Sequence, residues 1–305
     1  YTVRDRKDAM RQKSQAVRKT VQNLCTRLTR KLAIQEKELE ATYDRERLRQ
    51  LGDIVTANIH KIKKGQTTVR CEDFYDEEMK EIDIPISPIL SPQQNAAKFY
   101  KDYAKLKNAE KELTRQIEIG ERELTYIYSV FDALTHAETD ADLSEIREEL
   151  YRFGYASRMK GYAAPKKNKN PVVMQFVTTN GYRVLCGKNN LQNEYITHKV
   201  AERGDFWFHA KNMPGSHVVM LLEGKGEPDA EDFTEAASIA ALFCEAAGAP
   251  MTEVDYTLVR HLKKTPGAKP GFVIYHTNWT AYVTPDAEEI KRMLIASLNT
   301  AKNNK

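Results

Sequence analysis

Two long runs of apolar residues at steps of three and four constrain this chain more than anything else in it. The first passes through Val17, Val21, Leu24, Leu28 and Leu32 and continues to Ile62. The second passes through Phe99, Tyr103, Leu106, Ala109, Leu113 and Ile117 and continues to Leu134. Such steps, sustained this far, describe the narrow seam of a coiled coil. Neither run contains proline, whereas residues 65–92 hold Gly65, Pro85, Pro88 and Pro92, and no continuous helix tolerates that spacing. Two helices joined by such a connector fold back antiparallel. At 1.5 Å per residue, helices over 1–64 and 92–136 would measure roughly 95 Å and about 65 Å. The first helix therefore overhangs, and its N-terminal part is expected to pack on a short helix over 141–152 and on the domain that follows.

Charge gives the hairpin a direction. Residues 1–31 carry ten Lys/Arg against two acids, and residues 152–171 carry six against none. The connector, 65–91, carries two against seven. Each run alone is explained by a solvated face. Two basic runs converging on the open end favour a polyanion there, and the acidic tip favours a protein.

Beyond Pro171 the pattern changes. Val172–Thr178 and Tyr182–Cys186 flank Asn180-Gly181, a strong hairpin signal. Helical sequence is expected over Leu191–Glu202 and Phe233–Ala247, with a terminal helix over Ala287–Leu298. Strands are expected over Asp205–Lys211, His217–Leu222, Val254–Leu262, Phe272–His276 and Ala281–Val283. Without regular βαβ alternation this reads as α+β with a largely antiparallel sheet. The expected division is an antiparallel coiled-coil arm over 1–152 with its tip at 65–91, a basic linker over 153–170, an α+β domain over 171–298 and a disordered tail over 299–305. Tyr1 opens the chain in place of Met, which reads as a fragment of a longer protein.

Three clusters in the second domain carry chemistry. Asn189, Asn190 and Asn193 follow Lys188 ahead of a helix; one or two cap it, and the others are free to recognise a base or backbone. Strand alternation puts Asp205, Trp207 and His209 on one face and Phe206 and Phe208 on the other. Trp207 and His209 then form a stacking surface for bases, or else a half-buried tryptophan beside a hydrogen-bonded histidine. Gly215-Ser216, after Pro214 and before His217, gives a turn whose N–H groups suit phosphate. Arg260, Lys263, Lys264 and Lys269 surround a Pro/Gly turn that suits a polyanion or a solvated loop.

Other classes find less support. No apolar run approaches the ~20 residues needed to cross a bilayer, no secretory leader is legible, and no membrane partner is expected. The four cysteines form no CxxC pair, so reduced thiols in a cytoplasmic protein are expected rather than zinc or disulfides. Five histidines fall in the second domain (His198, His209, His217, His261, His276) without HxxxH or HxH spacing. With no P-loop, GxSxG or HExxH, neither catalytic residues, a metal nor a cofactor is expected. A metal-dependent nuclease is the remaining enzyme reading.

Together FVTTNGYRVLCGKNNLQNEYIT, DFWFHAKNMPGSHVV and VDYTLVRHLKKTPGAKPGFVIYH resemble the NFACT-R domain of the RqcH/NEMF family of ribosome-associated quality-control proteins. ILSPQQNAAKFYKDYAKLKNAE and SEIREELYRFGY resemble that family's coiled-coil segment, so the resemblance covers nearly the whole chain. It implies binding to a large ribosomal subunit blocked by peptidyl-tRNA, through rRNA and a ribosomal protein at the coiled-coil tip. It also implies recruitment of alanyl-tRNA for C-terminal alanine tailing of the stalled chain. RNA contact carries over by motif to Asn189, Asn190, Asn193, Asp205, Trp207, His209, Gly215, Ser216 and His217. Arg260, Lys263, Lys264 and Lys269 join them on charge. The family's N-terminal domain and helix-hairpin-helix region are not recognised in these residues, so binding without tailing is expected. Bacterial members carry the older name fibronectin-binding protein, which makes a fibronectin-binding surface adhesin the alternative.

Overall fold

The computed structural model describes residues 3–63, 65–155 and 171–295. The expected linker from residue 156 onward and the expected tail lie outside them. By packing, the chain divides into two compact units, one of residues 26–124 and one of residues 1–25 with 125–305.

The first unit holds the coiled-coil pairing. Helix α1 (Val3–Glu40) and α2 (Arg45–Ala57) run against α3 (Pro92–His136). Partners rise along one strand of the pair as they fall along the other. Leu32 packs where a Cβ on Gly120 would stand, Gln35 Nε2 donates to Gln116 Oε1 at 2.9 Å, and Arg45 pairs with Glu110 at 2.9 Å. This is the antiparallel hairpin expected from the two seams. α3 begins with Pro92 in its first turn, where the missing N–H costs nothing. Ser91 and Gln94 cap each other reciprocally just before it, the capping-box arrangement.

Two details differ from expectation. The first helix is not continuous over 1–64. At Ala41–Asp44 the buried Thr42 turns both its N–H and its hydroxyl onto the Leu39 carbonyl, at 2.9 and 2.7 Å, and the helix restarts at Arg45. The connector, too, is more than a break between helices. It forms an antiparallel pair, β1 (Thr68–Glu72) and β2 (Glu81–Pro85), whose Val69, Cys71 and Ile84 join Ile54 and Val55 in a small core. Tyr75 and Tyr100 both donate to the Asp53 carboxylate at 2.6 Å. Arg47 pairs with Asp73 at 2.6 Å, tying the turn between the strands to α2.

In the second unit the start of α1 packs on the end of α3 and on α4 (Asp140–Arg152), as the overhang requires. Arg18 donates to the Leu134 carbonyl, Lys13 pairs with Asp140 at 2.8 Å, and Arg147 donates to the Lys13 carbonyl at 3.2 Å. α4 is set by a full capping box between Thr139 and Asp142.

The same unit contains a seven-stranded antiparallel sheet in the order β8-β7-β5-β6-β4-β3-β9. Its members are β3 (Met174–Val177), β4 (Arg183–Cys186), β5 (Phe206–Ala210), β6 (Val218–Leu221), β7 (Thr252–Leu258), β8 (Trp279–Val283) and the two-residue β9 (Leu294–Ile295). β3 and β4 form the expected hairpin around Asn180-Gly181, with Gly181 at φ +85°, a conformation that glycine adopts without strain. α6 (Ala230–Leu242) covers one face. It begins earlier than Phe233 because Asp229 and Asp232 form a capping box, and it ends at Phe243. The other face carries α5 (Asn190–Tyr195), the π-helical turn Ile196–Val200 and the segment 259–275. Phe272–His276 is not a strand; it makes a single bridge, Ile274 to Lys263. The terminal helix α7 (Ala287–Met293) is shorter than expected because the chain leaves it to pair β9 with β3.

Candidate nucleic-acid interface

The alternation expected along β5 holds, but both faces of the strand are covered. Phe208 joins Phe176, Val184, Met220 and Val254 under α6. Trp207 packs with Leu185, Ile196, Val219 and Leu221 on the opposite face. Trp207 is 1% exposed, so the stacking surface expected of it is not open to solvent. Its indole lies parallel to the His209 ring at 5.6 Å and meets His217 edge-on at 5.1 Å and Tyr275 at 5.2 Å. Asp205 is buried too, and its carboxylate accepts from the Glu202 and Leu222 N–H groups at 2.7 and 2.8 Å.

The three asparagines are engaged within the fold rather than presented to a base. Asn189 caps α5, accepting from the Gln192 N–H at 2.9 Å, and donates to Glu145 at 2.8 Å. Asn190 donates to Glu149 and to Ser129, both at 2.9 Å. Asn193 accepts from the His217 N–H at 3.0 Å. A Cβ on Gly187 would come within 2.4 Å of the Asn193 Oδ1, so only glycine permits this approach. Amides from α5 thus fasten it to carboxylates of α4. Burial raises both carboxyls, that of Glu149 to about 7.

The expected phosphate seat is also closed. The Ser216 N–H donates to the Phe243 carbonyl at 2.8 Å, and Gly215 bridges Cys244 so closely that a Cβ would stand 3.0 Å from it. Among the four basic residues of the third cluster, Arg260 and Lys263 are exposed and form no ion pair among the described residues. Lys264 pairs with Glu194. Lys269 is held among three rings, its Nζ 4.3 Å from the centroid of Phe153, 4.8 Å from Tyr126 and 5.0 Å from Tyr155.

Six of the expected residues nevertheless come together. Asn190, Asn193, Trp207, His209, Gly215 and His217 line one cavity of about 570 Å³. Its other walls include Tyr128 of α3, 43% exposed, with Asn212, Glu245, Phe272 and Tyr275. No sequence motif marks these. Tyr128 sits one position beyond the seam residue Ile127, and an aromatic off the seam was the available signal. Burial holds the His209 imidazole below its usual value, and burial with neighbouring histidines holds His217 well below it. Both rings are therefore uncharged near neutral pH. His217 Nδ1 lies 2.8 Å from the Thr197 hydroxyl. Among the described residues no group of three or more His, Cys, Asp or Glu is placed to hold a metal ion, and no helix is long and apolar enough to cross a membrane.

Residues 1–169 match the family model for NFACT N-terminal and middle domains, and residues 172–277 match that for the NFACT protein RNA binding domain. The Rqc2 homolog RqcH of Bacillus subtilis (strain 168) is 39% identical over 295 residues, covering 96% of this chain and 51% of that protein. The Rqc2 homolog RqcH of Streptococcus suis (strain 05ZYH33) is 38% identical over 296 residues, covering 97% of this chain and 52% of that protein. The chain thus spans about half the length of these curated relatives. A solved structure of the C-terminal part of the fibronectin/fibrinogen-binding protein from Streptococcus suis superposes with a TM-score of 0.73 at 34% identity, covering 94% of this chain and 99% of that one. With both family models matched in sequence order, the chain belongs to the NFACT family, as a homologue of the RqcH proteins.

Proposed function

We propose that this chain is the RNA- and ribosome-binding part of a ribosome quality-control factor. In the whole protein it helps to engage an obstructed large ribosomal subunit and alanyl-tRNA during alanine tailing. The observation that carries this is the match of residues 172–277 to an RNA-binding domain within a chain homologous to RqcH along nearly its whole length. Arg260 and Lys263 supply phosphate contacts, and the buried motif residues shape the surface around them. The acidic turn between β1 and β2, with Phe74, Tyr75 and Met79 exposed, suits a protein of the subunit.

Co-sedimentation of the chain with large subunits, and its affinity for tRNA, test this directly. Binding is expected to fall steeply between about 50 and 200 mM salt, as counterion release requires. Absence of binding to both, or binding indifferent to salt, overturns the reading. Alanine tailing is expected to need the rest of the protein.

The likeness to a fibronectin/fibrinogen-binding protein supports a second reading, adhesion to matrix protein. Retention on immobilised fibronectin at physiological ionic strength, with a polyanion competitor present, is the result that would favour it. A basic protein sticks to many matrices, so the competitor is essential.

A further inference from the structure

The cavity beside Trp207 has a composition that phosphate contact does not explain. Its volume, about 570 Å³, falls among the roughly 300–1,000 Å³ of small-ligand pockets. Among the described residues that line it there is no lysine or arginine, and Glu245 is the one carboxylate. An anion would therefore enter against a negative charge with no cation to receive it. The walls are instead largely aromatic: Trp207, Tyr275 and Phe272 and the exposed ring of Tyr128, with the side chain of Asn212 beside them. The imidazoles of His209 and His217 complete the walls, uncharged and bonded within the fold. The Trp207 Nε1–H has no acceptor within the protein, an uncommon state for a buried donor. It is covered by its neighbours, so a ligand reaches it only if one of them turns aside.

A flat, neutral heteroaromatic with hydrogen-bonding edges fits these walls. Within an RNA such a group is a base that has left its stack, since RNA-binding proteins hold splayed bases on aromatic faces and read their edges by hydrogen bonds. We infer that this cavity receives a single unpaired nucleobase, with Tyr128 stacking on it at the mouth. The inference rests on the RNA-binding reading above and adds to it a site for one base, distinct from the charged contacts of Arg260 and Lys263.

The chain has two tryptophans, Trp207 and Trp279, and Trp279 is 48% exposed. In a Trp279→Phe background Trp207 is the sole tryptophan, and its emission reports the cavity. The probes are adenosine, guanosine, cytidine and uridine, which carry no phosphate, with inorganic phosphate as control and tRNA binding measured in parallel. At least one nucleoside is expected to shift the emission saturably and independently of salt, while inorganic phosphate does not. Tyr128→Ala removes an exposed ring without opening the core and is expected to weaken that binding by about tenfold, as for one lost stack. Tyr128→Phe is expected to retain it. If no nucleoside alters the emission while tRNA still binds in a salt-dependent way, the base site is overturned and the RNA-binding reading stands. A nucleoside response unchanged in Tyr128→Ala overturns it equally. If neither tRNA nor any nucleoside binds, both readings fall together.

Discussion

Glu149 shows how much of this fold depends on single buried groups. Its side chain is 0% exposed; one oxygen accepts from Asn190 at 2.9 Å, and the other has no partner within hydrogen-bond geometry. Burial, the largest influence, pushes the carboxyl up to about 7 from an ordinary 4.5. The folded state therefore holds this proton more tightly than the unfolded chain between those values, and the group's contribution to stability falls as pH rises through that window. Glu149→Gln keeps the acceptor for Asn190 and replaces the carboxyl beside the Tyr126 hydroxyl with an amide that carries no charge. The variant is expected to match the parent near pH 4 and exceed it near pH 8, by up to about 3 kcal/mol. Urea melts of both proteins at the two pH values read this; equal stabilities at pH 8 would show that the carboxylate is not strained there. Trp207→Ala is expected to cost about 3–5 kcal/mol, as large-to-small core changes do. A loss of RNA binding in that variant must therefore be read beside its thermal melt. Alternation along 205–209 does fix which side chains share a face. It is silent on whether a face is covered, because that depends on α5 and on residues 259–275 arriving from elsewhere in the chain.

At the level of elements, two fastenings hold the unit that carries the cavity. One is the set of amides from α5 on the carboxylates of α4. Asn189→Ala removes both a helix cap and a donor to Glu145, leaving that buried carboxylate with Gln192 at 2.7 Å. A cost of about 1–3 kcal/mol is expected, and chemical denaturation of the variant beside the parent measures it. The other is Lys269 among Tyr126, Phe153 and Tyr155. Lys269→Ala is expected to loosen residues 263–272, seen as faster amide exchange there, while Lys269→Arg, which retains the charge over the rings, keeps them protected. Unchanged exchange in the alanine variant would mean that the rings do not hold the segment. Neither fastening was legible beforehand, since Asn and Lys in these clusters look alike whether they face solvent or a buried partner. The connector does carry a strand signal in its sequence. Ile82, Ile84 and Ile86 alternate with polar residues in the period of a strand, but Pro85 and Pro88 drew attention to the broken helix instead. The seams were the clearest signal because a step of three and four over many turns has one structural meaning.

For the whole molecule the question is which charges meet RNA, and the basic runs at 1–31 and 152–171 leave it open because composition does not reveal pairing. In the third cluster pairing is visible. Lys264 is bound to Glu194 and Lys269 is enclosed by rings, which leaves Arg260 and Lys263 as the exposed and unpaired cations of that group among the described residues. Only a cation that displaces counterions from phosphate changes the salt dependence of binding, each by a slope of about 0.9 on logarithmic axes for duplex and about 0.7 for single strands. The double change Arg260→Ala/Lys263→Ala is therefore expected to lower the slope for tRNA by between about 1 and 2 and to weaken binding alike for all tRNA sequences. Lys264→Ala is expected to leave the slope where it was and to show itself in stability, because what it breaks is the contact with Glu194. Fluorescence anisotropy of labelled tRNA across a salt series measures all three proteins. A slope that falls for Lys264→Ala and not for the double variant would reverse the assignment, and would mean that Lys264 leaves Glu194 when RNA binds.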